Sequence, residues 1–341
     1  MLLVAVALGG CAPARSTQAD PPVLRAVVIS DLNASYGSTH YPDEVSLAVK
    51  YITGTWNPDL VLVAGDMVAG QSTQLTDSTV RAMWEAFDSV VAAPLRAARI
   101  PLVVTMGNHD ASAYPAHARD RRIAAEYWRG SPSAYRLAFT DSQYYPLRYA
   151  VRYGDVFVVA WDATNQESAA DDELLDWLRQ SLSSAEAVAA RHRVVLGHLP
   201  LYAVAQGRDR AGEVLKRGDL LRERLEEWGA TLFVSGHHHA YYPARRGGLD
   251  LLHAGAVGDG PRQLLGSREP GRKTVSVLDF LSDSVAITTY VIDATAAAPT
   301  LLPIEFLPPL ICSASGWVAR RDLPPGDTVC NASSGSGWAW R

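Results

Sequence analysis

The strongest constraint on the fold is one repeated punctuation: a short apolar run that stops at a polar cluster, five times between residues 24 and 239. Leu24 to Ser30 ends at Asp31-Leu32-Asn33, and Leu60 to Ala64 ends at Gly65-Asp66. Leu102 to Thr105 leads through Met106 into Gly107-Asn108-His109-Asp110. Val194 to Leu196 ends at Gly197-His198, and Thr231 to Val234 precedes Gly236-His237-His238-His239. Apolar, β-branched runs of this length with turn chemistry behind them read as buried strands of an α/β sheet. Helical spacing separates several of them. Leu174, Leu178 and Leu182 recur at i+4, and Leu221, Leu225 and Trp228 follow suit, with Gly229 as a stop. Such a chain presents polar loops at the carboxyl ends of its strands, where open α/β sheets place their ligands.

The five clusters share a chemistry. One alone is an ordinary turn, but together they offer carboxylates, an amide and imidazoles, the oxygen-and-nitrogen donor set that suits Mn, Fe or Zn. The three consecutive histidines stand in mid-chain behind an apolar run, which is not the setting of an affinity tag.

In this order the clusters resemble the motifs of the calcineurin-like metallophosphoesterases: Asp-x-His, Gly-Asp, Gly-Asn-His-Asp/Glu, Gly-His and Gly-His-x-His. The match runs from about Leu24 to Asp293. The resemblance implies an α/β fold, a four-layer α/β/β/α sandwich of two mixed sheets with metals at one end. It implies two divalent or trivalent metal ions (Mn, Fe or Zn), bridged by Asp66. Asp31 and His239 then bind the first ion, and Asn108, His198 and His237 the second. His109 faces the substrate as general acid, with Asp110 orienting its imidazole. The implied reaction is hydrolysis of a phosphomonoester or phosphodiester by a hydroxide activated between two cations.

One position departs from the family pattern. Asn33 stands where the family has histidine, and Ala69 stands where the purple acid phosphatase branch carries a tyrosine. We expect Asn33 to bind the first metal through its amide oxygen or to leave a water there, with Tyr36 as a substitute ligand otherwise. A neutral oxygen tilts the Asp31/Asn33 site toward harder ions such as Mn, Mg or Ca. The alternative is a catalytically impaired metal-binding or interaction protein on the same fold, although a purely structural site has no use for His109. A zinc peptidase is disfavoured, because no His-Glu-x-x-His occurs.

Composition narrows the partners. The 341 residues are 48% hydrophobic and 20% charged, with a net charge of -5, which is ordinary globular usage without the basic footprint of a nucleic-acid binder. A small-molecule or lipid phosphoester is the expected substrate. Met1 to Leu8 is apolar and runs into Leu8-Gly9-Gly10-Cys11, which resembles the lipobox of bacterial lipoproteins. The expectation is an exported chain anchored to a membrane through lipid on Cys11, or else secreted after ordinary signal cleavage. The domains expected are a signal and tether over 1–22, a metallophosphoesterase domain over 23–296 with an insertion or lid over 112–146, and an extension over 297–341. The other two cysteines, Cys312 and Cys330, lie in that extension and are expected to pair in an oxidising compartment.

Overall fold

The structure is a computed structural model that describes residues 22–130, 132–169, 171–324 and 330. The expectations for the signal segment and Cys11 fall on residues 1–21 and lie outside the described residues. The strands are β1 (Leu24–Ile29), β2 (Leu60–Val63), β3 (Leu102–Val104), β4 (Phe139–Tyr144), β5 (Arg148–Tyr153), β6 (Val156–Ala160), β7 (His192–Leu196), β8 (Leu232–Ser235), β9 (Tyr242–Arg246), β10 (Leu249–His253), β11 (Thr274–Phe280), β12 (Val285–Val291), β13 (Thr300–Leu301), β14 (Leu310–Ser313) and β15 (Gly316–Arg320). Between them lie the helices α1 (Asp43–Tyr51), α2 (Asp77–Phe87), α3 (Ala93–Ala97), α4 (Asn108–Ala111), α5 (Ala118–Arg129), α6 (Asp172–Leu182), α7 (Ala185–Val188) and α8 (Gly218–Glu227).

Two mixed sheets result. One has the order β13-β12-β11-β1-β2-β3, and the other β14-β15-β9-β10-β8-β7-β6-β5-β4. The middle strands β1, β2 and β3 of the first run parallel, as do β6, β7, β8 and β10 of the second. Every residue of β2, β3, β6 and β8 is buried. Strands with no exposed side need a layer on each face. One layer is the opposite sheet: the Tyr149 hydroxyl of β5 donates to the Val104 carbonyl of β3 at 2.7 Å, and His192 of β7 packs edge-on against Phe280 of β11. The other is helical: α6 buries Leu174, Leu178 and Leu182, and α8 buries Leu221 and Leu225. This is the expected four-layer sandwich.

Two peripheral segments join this body. Residues 112–146, expected as an insertion or lid, pack into the body. Helix α5 buries Ile123, Ala124 and Trp128, with Trp128 edge-on to Trp84 of α2, and β4 closes one edge of the nine-stranded sheet. The arginine- and tyrosine-rich composition hid this, because long amphipathic side chains cover apolar surface while their tips stay polar. In the tail, β13 joins the first sheet and β14–β15 the second, and Cys312 is disulfide-bonded to Cys330. The turn between β14 and β15 also grips a loop beyond β7: Ala203 N–H donates to Ser315 Oγ, and Ala314 N–H to the Asp209 carboxylate.

Candidate metal centre

The polar clusters converge where the parallel strands end. Asp31 and Asp66 follow β1 and β2 in the left-handed region (φ 51° and 54°), as do His237 and His239 after β8 (65° and 54°). Side chains rarely adopt this backbone, and four such residues in one place mark a site held by its surroundings. The loops bind one another: Asp31 N–H donates to Gly65 O at 3.0 Å, Leu32 N–H to Asp66 O at 2.8 Å, and Gly236 N–H to His198 O at 3.0 Å. Two glycines are required by closeness. A Cβ on Gly107 would lie 2.1 Å from Asp66 Oδ1, and one on Gly236 would lie 2.1 Å from Ser30 Oγ.

Asp66, His198 and His237 bring donor atoms within 4.8 Å of one another, and so do Asp31, Asp66 and His239. Asp66 belongs to both groups. His198 Nδ1 faces the Ala64 carbonyl at 2.8 Å, which can only accept, so that nitrogen carries the proton. Its Nε2 then turns to Asp66 Oδ2 at 3.3 Å and Asn108 Oδ1 at 3.0 Å. Asn108 is held in this sense because its Nδ2 donates to Gln71 Oε1 at 2.7 Å. His237 Nε2 donates to Glu213 Oε2 at 2.9 Å, leaving Nδ1 as its free donor atom. His239 Nδ1 donates to the carbonyls of Asp259 and Gly260 at 3.1 Å, and its Nε2 faces Asp31 Oδ1 at 3.3 Å. Each imidazole thus has one nitrogen fixed and the other aimed inward, the arrangement that orients metal-binding histidines.

The field of the site favours a cation. Burial works against the charge of Asp31 and Asp66, yet His239 holds Asp31 below its ordinary range, and His198 and His109 do so for Asp66. His198 is fully buried, which opposes its charge, but Asp66 and Asp31 push it up to about 9. Burial pushes His237 down to about 4 in spite of Glu213. Two buried carboxylates facing inward imidazoles form groups that could hold a metal ion in place of the proton on His198. The charged ring donates from Nε2 to Asn108 Oδ1 at 3.0 Å, and a metal ion taking the place of that proton would find both atoms as ligands.

Around this centre the expected residues fall as follows. His109 is half-buried beside it, with its N–H donating to Asp66 Oδ1 at 2.8 Å and its Nε2 4.0 Å from Asp66 Oδ2. Asp110 does not orient the His109 ring. Its carboxylate instead accepts from the N–H groups of Met67, Val68 and Gly107 at 2.8, 2.9 and 2.8 Å, tying the loop after β2 to the loop after β3. Three orphan backbone donors at a strand-to-helix turn capture the nearest carboxylate. The group that fixes His109 is the Gly70 carbonyl, 3.1 Å from Nδ1. Asn33 is buried next to Asp31, and its side-chain amide makes no hydrogen bond among the described residues. Tyr36 is exposed and lies against the His109 ring, with centroids 5.2 Å apart. His238 points away into the core, where its Nε2 donates to Glu213 O at 2.9 Å.

Sequence reading missed Glu213. It sits in the loop between β7 and α8 and binds His237, Arg208 and Arg210 at once. Burial opposes its charge, but His237 and Arg208 hold its carboxyl well below the usual range. The one signal in the chain is a run of charges from Arg208 to Glu213, which reads as a solvated loop when taken alone.

Comparisons with known proteins agree with this architecture. The sequence model of the calcineurin-like phosphoesterase family matches residues 24–241. No curated protein sequence matches the chain. Among solved structures, a purple acid phosphatase from yellow lupin (Lupinus luteus) seeds is similar at 14% identity with a TM-score of 0.61, over 92% of this chain and 58% of the lupin protein. The chain therefore corresponds to little more than half of that protein's length. Lower fold similarity is seen with GAP50, the anchor in the inner membrane complex of Plasmodium (12% identity, TM-score 0.46, 82% of this chain and 88% of that one), and with a 5'-nucleotidase precursor from Thermus thermophilus (16%, 0.41, 82% and 53%).

Proposed function

Since the chain belongs to the calcineurin-like phosphoesterase family, we propose that it is a phosphoester hydrolase that uses two metal ions held by Asp31, Asp66, Asn108, His198, His237 and His239 to cleave small phosphomonoesters or phosphodiesters. One observation carries this reading: three histidines each have one ring nitrogen tied to a fixed acceptor and offer the other toward the buried centre. Metal ions bound there supply Lewis acidity toward phosphoryl oxygens and lower the pKa of water. The protein's own residues do the rest. Asp66 serves both halves of the centre, and its charge offsets repulsion between two cations. The Gly70 carbonyl keeps the proton on His109 Nδ1, so Nε2 is the atom that delivers a proton to the departing oxygen. Asn33 offers its unpaired amide oxygen on the Asp31 side and favours a hard ion there, with Mn, Fe or Zn on the other side.

Export is part of the same proposal. The Leu8-Gly9-Gly10-Cys11 string supports a lipid anchor, and the Cys312–Cys330 bridge fits an oxidising compartment. Incorporation of labelled fatty acid that survives Cys11→Ser would sink the anchor.

The function is tested by metal analysis of the purified protein beside hydrolysis of para-nitrophenyl phosphate and its bis-ester with Mn. Metal-dependent turnover is expected, falling about 10²–10⁴-fold in His109→Ala while metal content stays. Bound metal without turnover of either ester would leave the metal-binding protein as the reading. No bound metal at all would overturn the ligand assignment.

A further inference from the structure

Beyond the metal ligands, an unusual concentration of positive charge borders the centre. Residues 204–206 and 263–265 pair as a short antiparallel ribbon, and the first strand turns at its end, where Arg208 N–H donates to Ala205 O at 3.1 Å. Leu265 N–H donates to Val204 O at 2.8 Å, Ala205 bridges Leu264, and Gln206 N–H donates to Gln263 O at 2.9 Å. Continued by one step, this register sets Gly207 beside Arg262 at the ribbon's end, with Arg208 the next residue in the chain. That end is fixed to the metal loop from both strands. Arg262 N–H donates to His239 O at 2.9 Å, and Arg208 pairs with Glu213, which holds His237.

The charges there are not balanced. Arg208, Arg210 and Arg262 share one carboxylate, Glu213, which is already bound to the first two and to His237. Asp209 is turned away to accept from Ala314 N–H, and Asp259 lies 3.7 Å from Lys273. Arg262 makes no side-chain hydrogen bond or ion pair among the described residues, and the Nε atoms of both Arg208 and Arg262 are buried without a partner. A half-buried guanidinium without a counterion is costly unless a ligand supplies one. Its place beside a phosphoester centre says which kind of ligand.

We infer that Arg262, with Arg208 beside it, binds a second anionic group of the substrate, so that the preferred phosphoesters carry a further phosphate or carboxylate beyond the one cleaved. This rests on the hydrolase reading above. A planar guanidinium donates two parallel hydrogen bonds to either group. Arg210 is largely exposed and serves to hold Glu213 from outside.

The test uses phosphate release from propyl phosphate beside the bisphosphates of straight-chain diols with two to five carbons, in the full protein and in Arg262→Met and Arg262→Lys. At least one bisphosphate is expected to exceed propyl phosphate in kcat/KM by on the order of 10- to 100-fold. That preference should collapse toward parity in Arg262→Met and return in part in Arg262→Lys, with bound metal and thermal midpoint alike in all three. No preference in the wild type, or a preference that survives Arg262→Met, overturns this inference while leaving the hydrolase reading intact. Failure to hydrolyse any ester, para-nitrophenyl phosphate included, overturns both.

Discussion

On the His198 and His237 side of the centre, each donor has its far atom tied down: His198 to the Ala64 carbonyl, His237 to Glu213, Asn108 to Gln71. On the Asp31 and His239 side the same holds for His239, but the Asn33 amide makes no side-chain hydrogen bond among the described residues. The two halves share Asp66 and differ in how much of their geometry exists before any ligand arrives. Preorganised donors bind with little reorganisation, whereas a free amide can accept several coordination geometries. The first half should therefore be selective and tight, and the second permissive.

Removing what the halves share gives the largest effect. Asp66→Asn should empty both, with metal content near zero and turnover down about 10³-fold or more, as expected when metal-assisted chemistry is lost. A variant that keeps both ions and its turnover would show that Asp66 does not link them. Glu213→Gln breaks the comparison on one side. It should weaken metal binding at the His198/His237 side about 10- to 100-fold, with the Asp31 side unchanged in calorimetric titration. Equal weakening on both sides would mean that Glu213 supports the loop and not His237. The smallest change sharpens the other side: Asn33→His should shift the Asp31 side from Mn toward Zn, with less effect on turnover than the Glu213 change. An unchanged metal preference would remove Asn33 from the site.

The strand ends were legible because their signal is local. An apolar run, a glycine and a donor such as Asp66 or His198 occupy consecutive positions, and the buried strand that carries them needs only its own residues to declare itself. The helices at Leu174 and Leu221 were legible for the same reason, in their i+4 spacing. Helix α5 was not, since its buried Trp128 and Ile123 are spaced among arginines that read as a solvated face. Asp110 shows a different limit. Its residue type fits an imidazole partner, but the nearer backbone N–H groups of Met67, Val68 and Gly107 take both of its oxygens.

By itself the sequence determined the donor set, the order in which the donors arrive and the kind of sheet that delivers them, because each is written within a few residues. Only the tertiary structure decided which atom of each donor faces the centre. That choice belongs to partners distant in the chain: the Ala64 carbonyl is 134 residues from His198, Gly70 is 39 from His109, and Glu213 is 24 from His237. Two of those three partners are backbone carbonyls. Every residue has one, so no residue type announces which carbonyl will accept the proton.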